Sequence, residues 1–600
     1  MNNPINKPLL AGKESHFMRQ AIQKTKDMQG RLFVILLLLS VFLLNAILGV
    51  SGIDMTDEGF LLSAYQQMFN NPQSTGLMTC YNTLLLGGLW NMLFGKFGII
   101  GFRVFAALLM TIISAFVYYM CRDVVGRWWI LIGLVLVFLS GKYIFVFHYN
   151  HTSALASIII AFFMYKAVTK NNVWYMSMAG VSLGFGILFR VSNICMCAFI
   201  LILVPYYMHT RDFKLLMRMF GSVVLGFVIG TVINLGLVVA LGHYEYLSSS
   251  FTELFVSFNS SEDKHGLMNL IITYVDQFKS LLRYMSIIAI WPTMLWLVCK
   301  YETNNWLKKF GVILFSVCFV YTIFDLCSDN SVSTIYLRLL YPVCCAVLLL
   351  TAMKRREDAK LHYLITLSFL TMFVLPLGSD YGVHTVGAYS MYLAMPLAIG
   401  SLWKEIHLSA PEYKKVFRPL AIMGLLMVVM LTSYYSLRGC YRDNGSRFRM
   451  RATVKESVVP TTLTMPERAL ELDTVLMHIR PYVNSQTRLL AYPGIPMINY
   501  LSGTIPYLDN SWIGIIPYEI YRDKLKYAGS NKELPIIVLA KTPLYWYEAN
   551  ENWHSVLDCE DWHPSIEEKN ILLDKFINDH WYRIEYDDGC FQVLIPDHCK

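Results

Sequence analysis

Hydrophobic positions in this chain come in long blocks separated by short charged breaks. Crossing the hydrocarbon core of a bilayer takes roughly 20 mostly apolar residues. Thirteen runs approach that length, near 32–50, 99–120, 128–147, 152–168, 173–189, 194–208, 219–241, 281–299, 310–326, 335–353, 361–377, 385–403 and 419–437. Those beginning at 152, 173 and 194 are short. After residue 437 the blocks stop. Arg488–Tyr492 and Leu534–Ala540 read as short buried strands, Tyr582–Leu594 as a hairpin on a two-residue Asp-Gly turn, and 466–480 and 565–580 as helices. The fold class expected is an α-helical polytopic membrane protein with about 13 transmembrane helices and a C-terminal α/β domain. Its parts are a segment 1–31, a membrane body 32–437 and a soluble tail 438–600.

Two segments between runs are long, 51–98 and 242–280. In the first, Phe60, Ala64 and Met68, with Leu61, Tyr65 and Phe69, repeat every four residues, which predicts an amphipathic helix lying on the membrane and ended by Asn70-Asn71-Pro72. Thr83–Phe94 predicts a second interfacial helix. The second segment mixes aromatic and polar residues, and reads equally as a lid over a site or as an interfacial linker.

Composition agrees with the pattern: 55% of residues are hydrophobic and only 15% charged, too apolar for a soluble enzyme. Of the 92 charged residues 40 lie in the tail, leaving the body 32 basic and 20 acidic. With the N-terminus cytoplasmic, 24 of those 32 basic residues fall on inner segments, as cytoplasmic loops retain Lys and Arg. An odd number of crossings then puts the tail outside a plasma (inner) membrane. The first run reads as a signal anchor. Cys80 and four tail cysteines, Cys440, Cys559, Cys590 and Cys599, would face an oxidising compartment, where the four allow three disulfide pairings or remain free thiols. The net charge of +8 gives no reason to expect a nucleic-acid partner.

Candidate chemistry concentrates after the first run. Asp54, Asp57 and Glu58 share one face if that stretch is helical, although acids in a first turn also cap and complement a helix N-terminus. Arg190 closes the fifth run, Arg338 lies inside Tyr336-Leu-Arg338-Leu-Leu, and Arg103 follows Gly101-Phe102. A charge at such depth snorkels or finds a partner. His148 and His151, and Asp380 and His384, fall in two short loops as accessory candidates. No tight metal-ligand motif is present, so an ordinary hydrogen-bonding interface is favoured over a metal, and a divalent cation is the one cofactor left open. In the tail, Asp509-Asn-Ser-Trp512 and the Trp/Tyr clusters 545–547 and 553–562 read as core and rim residues, with stacking on a sugar as the alternative.

The chain resembles the GT-C superfamily of integral-membrane glycosyltransferases, in particular protein O-mannosyltransferases and lipid A aminoarabinose transferases. The resemblance rests on Thr56-Asp57-Glu58-Gly59-Phe60 after the first crossing, Gly101-Phe102-Arg103-Val104 opening the second, Leu188-Phe189-Arg190-Val191-Ser192-Asn193 after the fifth, and the appended tail. Where the aminoarabinose transferases carry Glu-Lys-Pro-Pro in the first loop, this chain has Thr79-Cys80-Tyr81-Asn82-Thr83. The resemblance implies a polyprenyl-phosphate sugar as donor and a glycan, lipid or protein hydroxyl as acceptor. It also implies catalytic acids at Asp57 and Glu58, with Asp57 the base, and donor phosphate on Arg190 helped by Arg338 or Arg103. A transporter or flippase of lipid-linked saccharides, and a polysaccharide polymerase or ligase, are the alternatives.

Overall fold

The computed structural model describes residues 30–141, 145–259, 266–328, 335–379, 382–443, 445–541, 545–547, 553–555 and 566–597. Each of the thirteen apolar runs holds helix in its described part. Nine of the described helices are long and apolar enough to cross a membrane, and Val383–Ser390 with Ala394–Leu408, bent by 65°, would make a tenth span. Three further runs form the shorter helices Arg127–Leu139, Val173–Phe189 and Ala359–Val374. The expected count of thirteen full crossings is therefore not reached by length. The cause is local: Ser140-Gly141 ends the first short helix, extended Arg190 the second, and Pro376 follows the third. The protein is nonetheless a multi-pass membrane protein.

The helices of the tail-bearing end are named α1 (Gly30–Leu48), α2 (Asp57–Gln67), α3 (Tyr81–Phe94), α4 (Gly98–Cys121), α5 (Arg127–Leu139) and α6 (Tyr149–Lys170). Within the bundle, Val173–Gly186 and Phe213–Ala240 meet through Gly180 and Gly184 on one side and Gly226 and Gly230 on the other. A methyl group at any of the four would stand 2.2–2.5 Å from the partner's backbone. Small residues four apart let two helices touch where lipid supplies no hydrophobic drive.

One sequence expectation is corrected. Helix α2 does not lie on a membrane surface with one face exposed: Glu58 through Tyr65 and Gln67 are all buried. On one side Tyr65 stacks on Phe102, with ring centroids 5.4 Å apart, and donates its hydroxyl to the Phe147 carbonyl. On the other side the tail covers it, and Gly59 is required there because a Cβ would sit 2.2 Å from the Met497 amide nitrogen. The apolar spacing fits a bilayer surface, but the second cover is a domain some 400 residues away in sequence. In the described part of the segment 242–280 lie the helix Tyr244–Asn259 and the start of Leu267–Tyr301, a helix of 35 residues and so about 52 Å long. Helix Tyr81–Phe94 follows the expected second interfacial segment closely.

The tail is an α/β domain. Its strands are β1 (Arg488–Tyr492), β2 (Ile505–Pro506), β3 (Ile536–Ala540), β4 (Tyr545–Tyr547), β5 (Trp553–Ser555), β6 (Tyr582–Asp587) and β7 (Phe591–Pro596). Five of them form one sheet in the order β2-β1-β3-β7-β6, with β1 parallel to β2 and β3, and β7 antiparallel to β3 and β6. Helices Pro466–Ile479 and Ile566–Asp579 fall where the sequence placed them. The β6–β7 connection is three residues long, not two, because the Asp588 carboxylate accepts from the amides of Cys590 and Phe591 and Gly589 takes a φ of +83°. Cys80, Cys440 and Cys590 are free thiols, and Cys559 and Cys599 lie outside the described residues.

Candidate active site

The chain leaves α1 through Gly49–Asp54, a stretch with no helix or sheet of its own to satisfy its carbonyls. Arg103 of α4 supplies the donors: Nη1 donates to Gly49 O (2.7 Å) and Ser51 O (3.0 Å), Nη2 to Gly52 O (2.7 Å) and to the Glu58 carboxylate (2.6 Å). Arg447, just beyond the last helix of the body, adds bonds to Leu48 O and Ser51 O, while its Nε reaches Ser436 O and Gly439 O. Buried Asp443 accepts from the Ile53 amide and the Thr464 hydroxyl. Gly52, at φ +95°, passes so close to Cys440 that a Cβ would stand 2.9 Å from its side chain. The segment is thus clamped from both the body and the tail.

That clamp divides the three acids. Asp54, 2% exposed, accepts from Thr56 N and Oγ1 and from Glu58 N, and so ties the turn that leads into α2 to its first turn. Burial, with the charge of Asp57 adding to it, pushes its pKa up to about 7. Glu58 is spent on Arg103 inside the core and on the Val146 amide. Asp57 alone keeps an opening, its side chain 19% exposed, and is bound by Arg442 Nη1 at 2.7 Å and the Tyr441 hydroxyl at 2.8 Å.

Arg190 owes its place to a helix break. Residues Ile187–Phe189 form a tight turn, and Arg190 is extended before a 3-10 helix, Val191–Ile202. Carbonyls loosened by the break are met by side chains: Asn193 donates to Gly186 O, Asn82 to Phe185 O, and the Thr83 hydroxyl to Phe189 O. The Arg190 guanidinium donates to Asn150 Oδ1 (3.2 Å) and Gly378 O (2.9 Å) and lies 5.3 Å from the Tyr149 ring centroid.

The remaining candidates scatter. Arg338 is half-buried in a π-turn, Tyr336–Leu340. His384 is half-buried in Val383–Ser390, and Asp380 lies outside the described residues. His148 ends the loop before α6, as its extended N-cap, and His151 lies in the first turn of α6; they are 1% and 2% exposed, with ring centroids 4.3 Å apart, both edge-on to Tyr389. Burial, then the Arg190 charge, lowers the His148 pKa to about 3 despite its bond to Val146 O, so the ring is neutral. Among the described residues no three His, Cys, Asp or Glu side chains cluster as metal ligands would.

The structure pairs Glu58 with Arg103 inside the core and leaves the buried Arg103 Nε without a hydrogen-bond partner. Beside Asp57 it brings in Tyr441 and Arg442, which sequence reasoning leaves in the tail as ordinary polar residues. Their signal is a Tyr-Arg-Asp cluster directly after the last apolar run. Trp512 joins them: its ring lies 5.8 Å from the Arg442 guanidinium and edge-on to Phe60.

Residues 84–235 match the family model of the dolichyl-phosphate-mannose-protein mannosyltransferases. The matched stretch contains Arg103 and Arg190 but not Asp57. The chain is also similar to the crystal structure of ArnT from Cupriavidus metallidurans in the apo state, at 12% identity and a TM-score of 0.40 over 95% of this chain and 98% of that one. For the same protein bound to undecaprenyl phosphate the values are 12%, 0.39, 93% and 97%. No curated protein sequence matches the chain.

Proposed function

Taking as premise the likeness of residues 84–235 to GT-C mannosyltransferases, we propose that the protein is an inverting glycosyltransferase. It moves a sugar from a polyprenyl-phosphate donor to a hydroxyl of a glycan, lipid or protein on the outer face of the membrane. The observation that carries the reading is the separate treatment of Asp57. Of three neighbouring acids it alone stays partly open, and the tail brings a guanidinium, that of Arg442, to meet it.

The acceptor hydroxyl is a poor nucleophile at neutral pH. Asp57 takes its proton as the oxygen attacks the anomeric carbon, while the bond from that carbon to the phosphate oxygen breaks and its electron pair leaves with the phosphate. Attack opposite the leaving group inverts the anomeric centre. The phosphate gains charge as it leaves, so it needs fixed cations, and the planar fork of arginine, here Arg190, suits two phosphate oxygens at once. The donor's lipid stays in the bilayer beside the helices.

The test feeds membranes holding the protein a panel of radiolabelled polyprenyl-phosphate sugars. Label should move covalently to an acceptor with one donor class and fail to move with Asp57→Asn. Label that crosses the membrane still attached to its lipid would point to transport and sink the reading.

A further inference from the structure

Asp57 as the structure holds it is badly placed to act as a base. Its carboxylate accepts from both Arg442 and Tyr441, so its lone pairs are already engaged where an acceptor hydroxyl would have to donate. One partner must leave before chemistry. Arg442 is the one built to move between anions. Its side chain is 23% exposed, whereas the Arg103 side chain is 5% exposed and donates to three carbonyls and Glu58. Beside the acid, Arg442 also donates to the Thr56 hydroxyl, a neutral acceptor. The guanidinium lies between the Tyr441 and Trp512 rings, at 5.1 and 5.8 Å from their centroids, which fix its plane and leave its edge for hydrogen bonds. The backbone of Arg442 is left-handed, at φ +51°, a conformation unfavourable for a non-glycine residue, and its side chain reaches back to Asp57 and Thr56 at the start of α2.

We propose that Arg442 is a positioning residue that receives the donor's phosphate, and that by leaving Asp57 for the phosphate it releases the base only when donor is present. The inference rests on the function proposed above. Phosphate and carboxylate compete for one planar fork, so the two binding events are coupled and the coupling is reciprocal. An acid held by Arg442 weakens phosphate binding, and a bound phosphate frees the acid.

That reciprocity gives a test independent of turnover. The purified full-length chain in detergent micelles is titrated with undecaprenyl phosphate, and with undecaprenol as the uncharged control. Asp57→Asn, which removes the competing charge, should bind undecaprenyl phosphate roughly two- to fivefold tighter. Arg442→Ala should bind it roughly tenfold or more weaker, with Arg442→Lys between Ala and the parent because it keeps the charge and loses the fork. Undecaprenol should show none of these changes. Melting curves of each variant report folding; if Arg442→Ala unfolds, Asp57→Asn and Arg442→Lys carry the test alone. Unchanged or weaker binding by Asp57→Asn overturns the inference, as does an equal response to undecaprenol. The lipid-binding order without any sugar transfer would sink the proposed function and leave only the competition of phosphate and Asp57 for Arg442; transfer without that order would keep the proposed function and overturn this inference.

Discussion

Two ion pairs start from adjacent residues of α2 and end in opposite environments. Glu58 with Arg103 has side chains 3% and 5% exposed, and Asp57 with Arg442 has side chains 19% and 23% exposed. A fully buried pair pays heavily in lost hydration and keeps its geometry because neither partner has an alternative. A half-open pair gains little, and can exchange partners at little cost. The contrast suggests a division of labour: one pair fixes where the loop stands, and the other is left free to react.

The contrast breaks hardest at Asp57. Asp57→Asn should lower sugar transfer by roughly 10²- to 10⁴-fold with a melting temperature near the parent's. A loss of fold of the same size as the loss of activity would put Asp57 on the structural side with Glu58. Next comes Arg103→Ala, which leaves the Glu58 charge in the core without its cation and takes a donor from the carbonyls of Gly49, Ser51 and Gly52. It should cost about 3–5 kcal/mol of stability by thermal unfolding, and adding Glu58→Gln should recover part of that. Gly59→Ala should cost about 1–3 kcal/mol, since its methyl group meets the Met497 backbone, and should expose the seam between tail and body to limited proteolysis before the rest of the chain. The smallest effect concerns Asp54. Its folded pKa is raised to about 7, so across the window from an ordinary carboxylate value to about 7 the folded state holds a proton that the unfolded state has lost. Melting temperature should therefore fall as pH rises through that window and level off above it, and Asp54→Asn should flatten the slope.

The helices are legible because a bilayer demands contiguous apolar length, a local property of sequence. The strands β1 and β3 and two tail helices are legible for a similar reason, their apolar residues being close together. What fails is whatever depends on a distant cover. The spacing of Phe60, Ala64 and Met68 gives a helix correctly, yet Trp512 of the tail packs on Phe60, where the spacing expects lipid, and Met497 packs on Gly59 outside that stripe. Arg103 and Arg190 look alike in sequence, each a lone cation beside apolar neighbours. Only the open carbonyls of Gly49, Ser51 and Gly52 absorb one and not the other. The histidines at 148 and 151 stand out by their spacing, but their burial against Tyr389 depends on a helix more than 200 residues further on.

Asp57 and Tyr441 stand 384 positions apart, so the acid emerges from the ribosome long before the residues that hold it. Until residues 439–447 are made and threaded beside α1, the newly inserted bundle carries a carboxylate without its Arg442 partner and a loop fastened from the body side alone. A chain halted after its last apolar helix would have its hydrophobic segments complete and its chemistry unassembled. Synthesis order thus acts as a timer, with competence arriving only as the final quarter of the polypeptide folds.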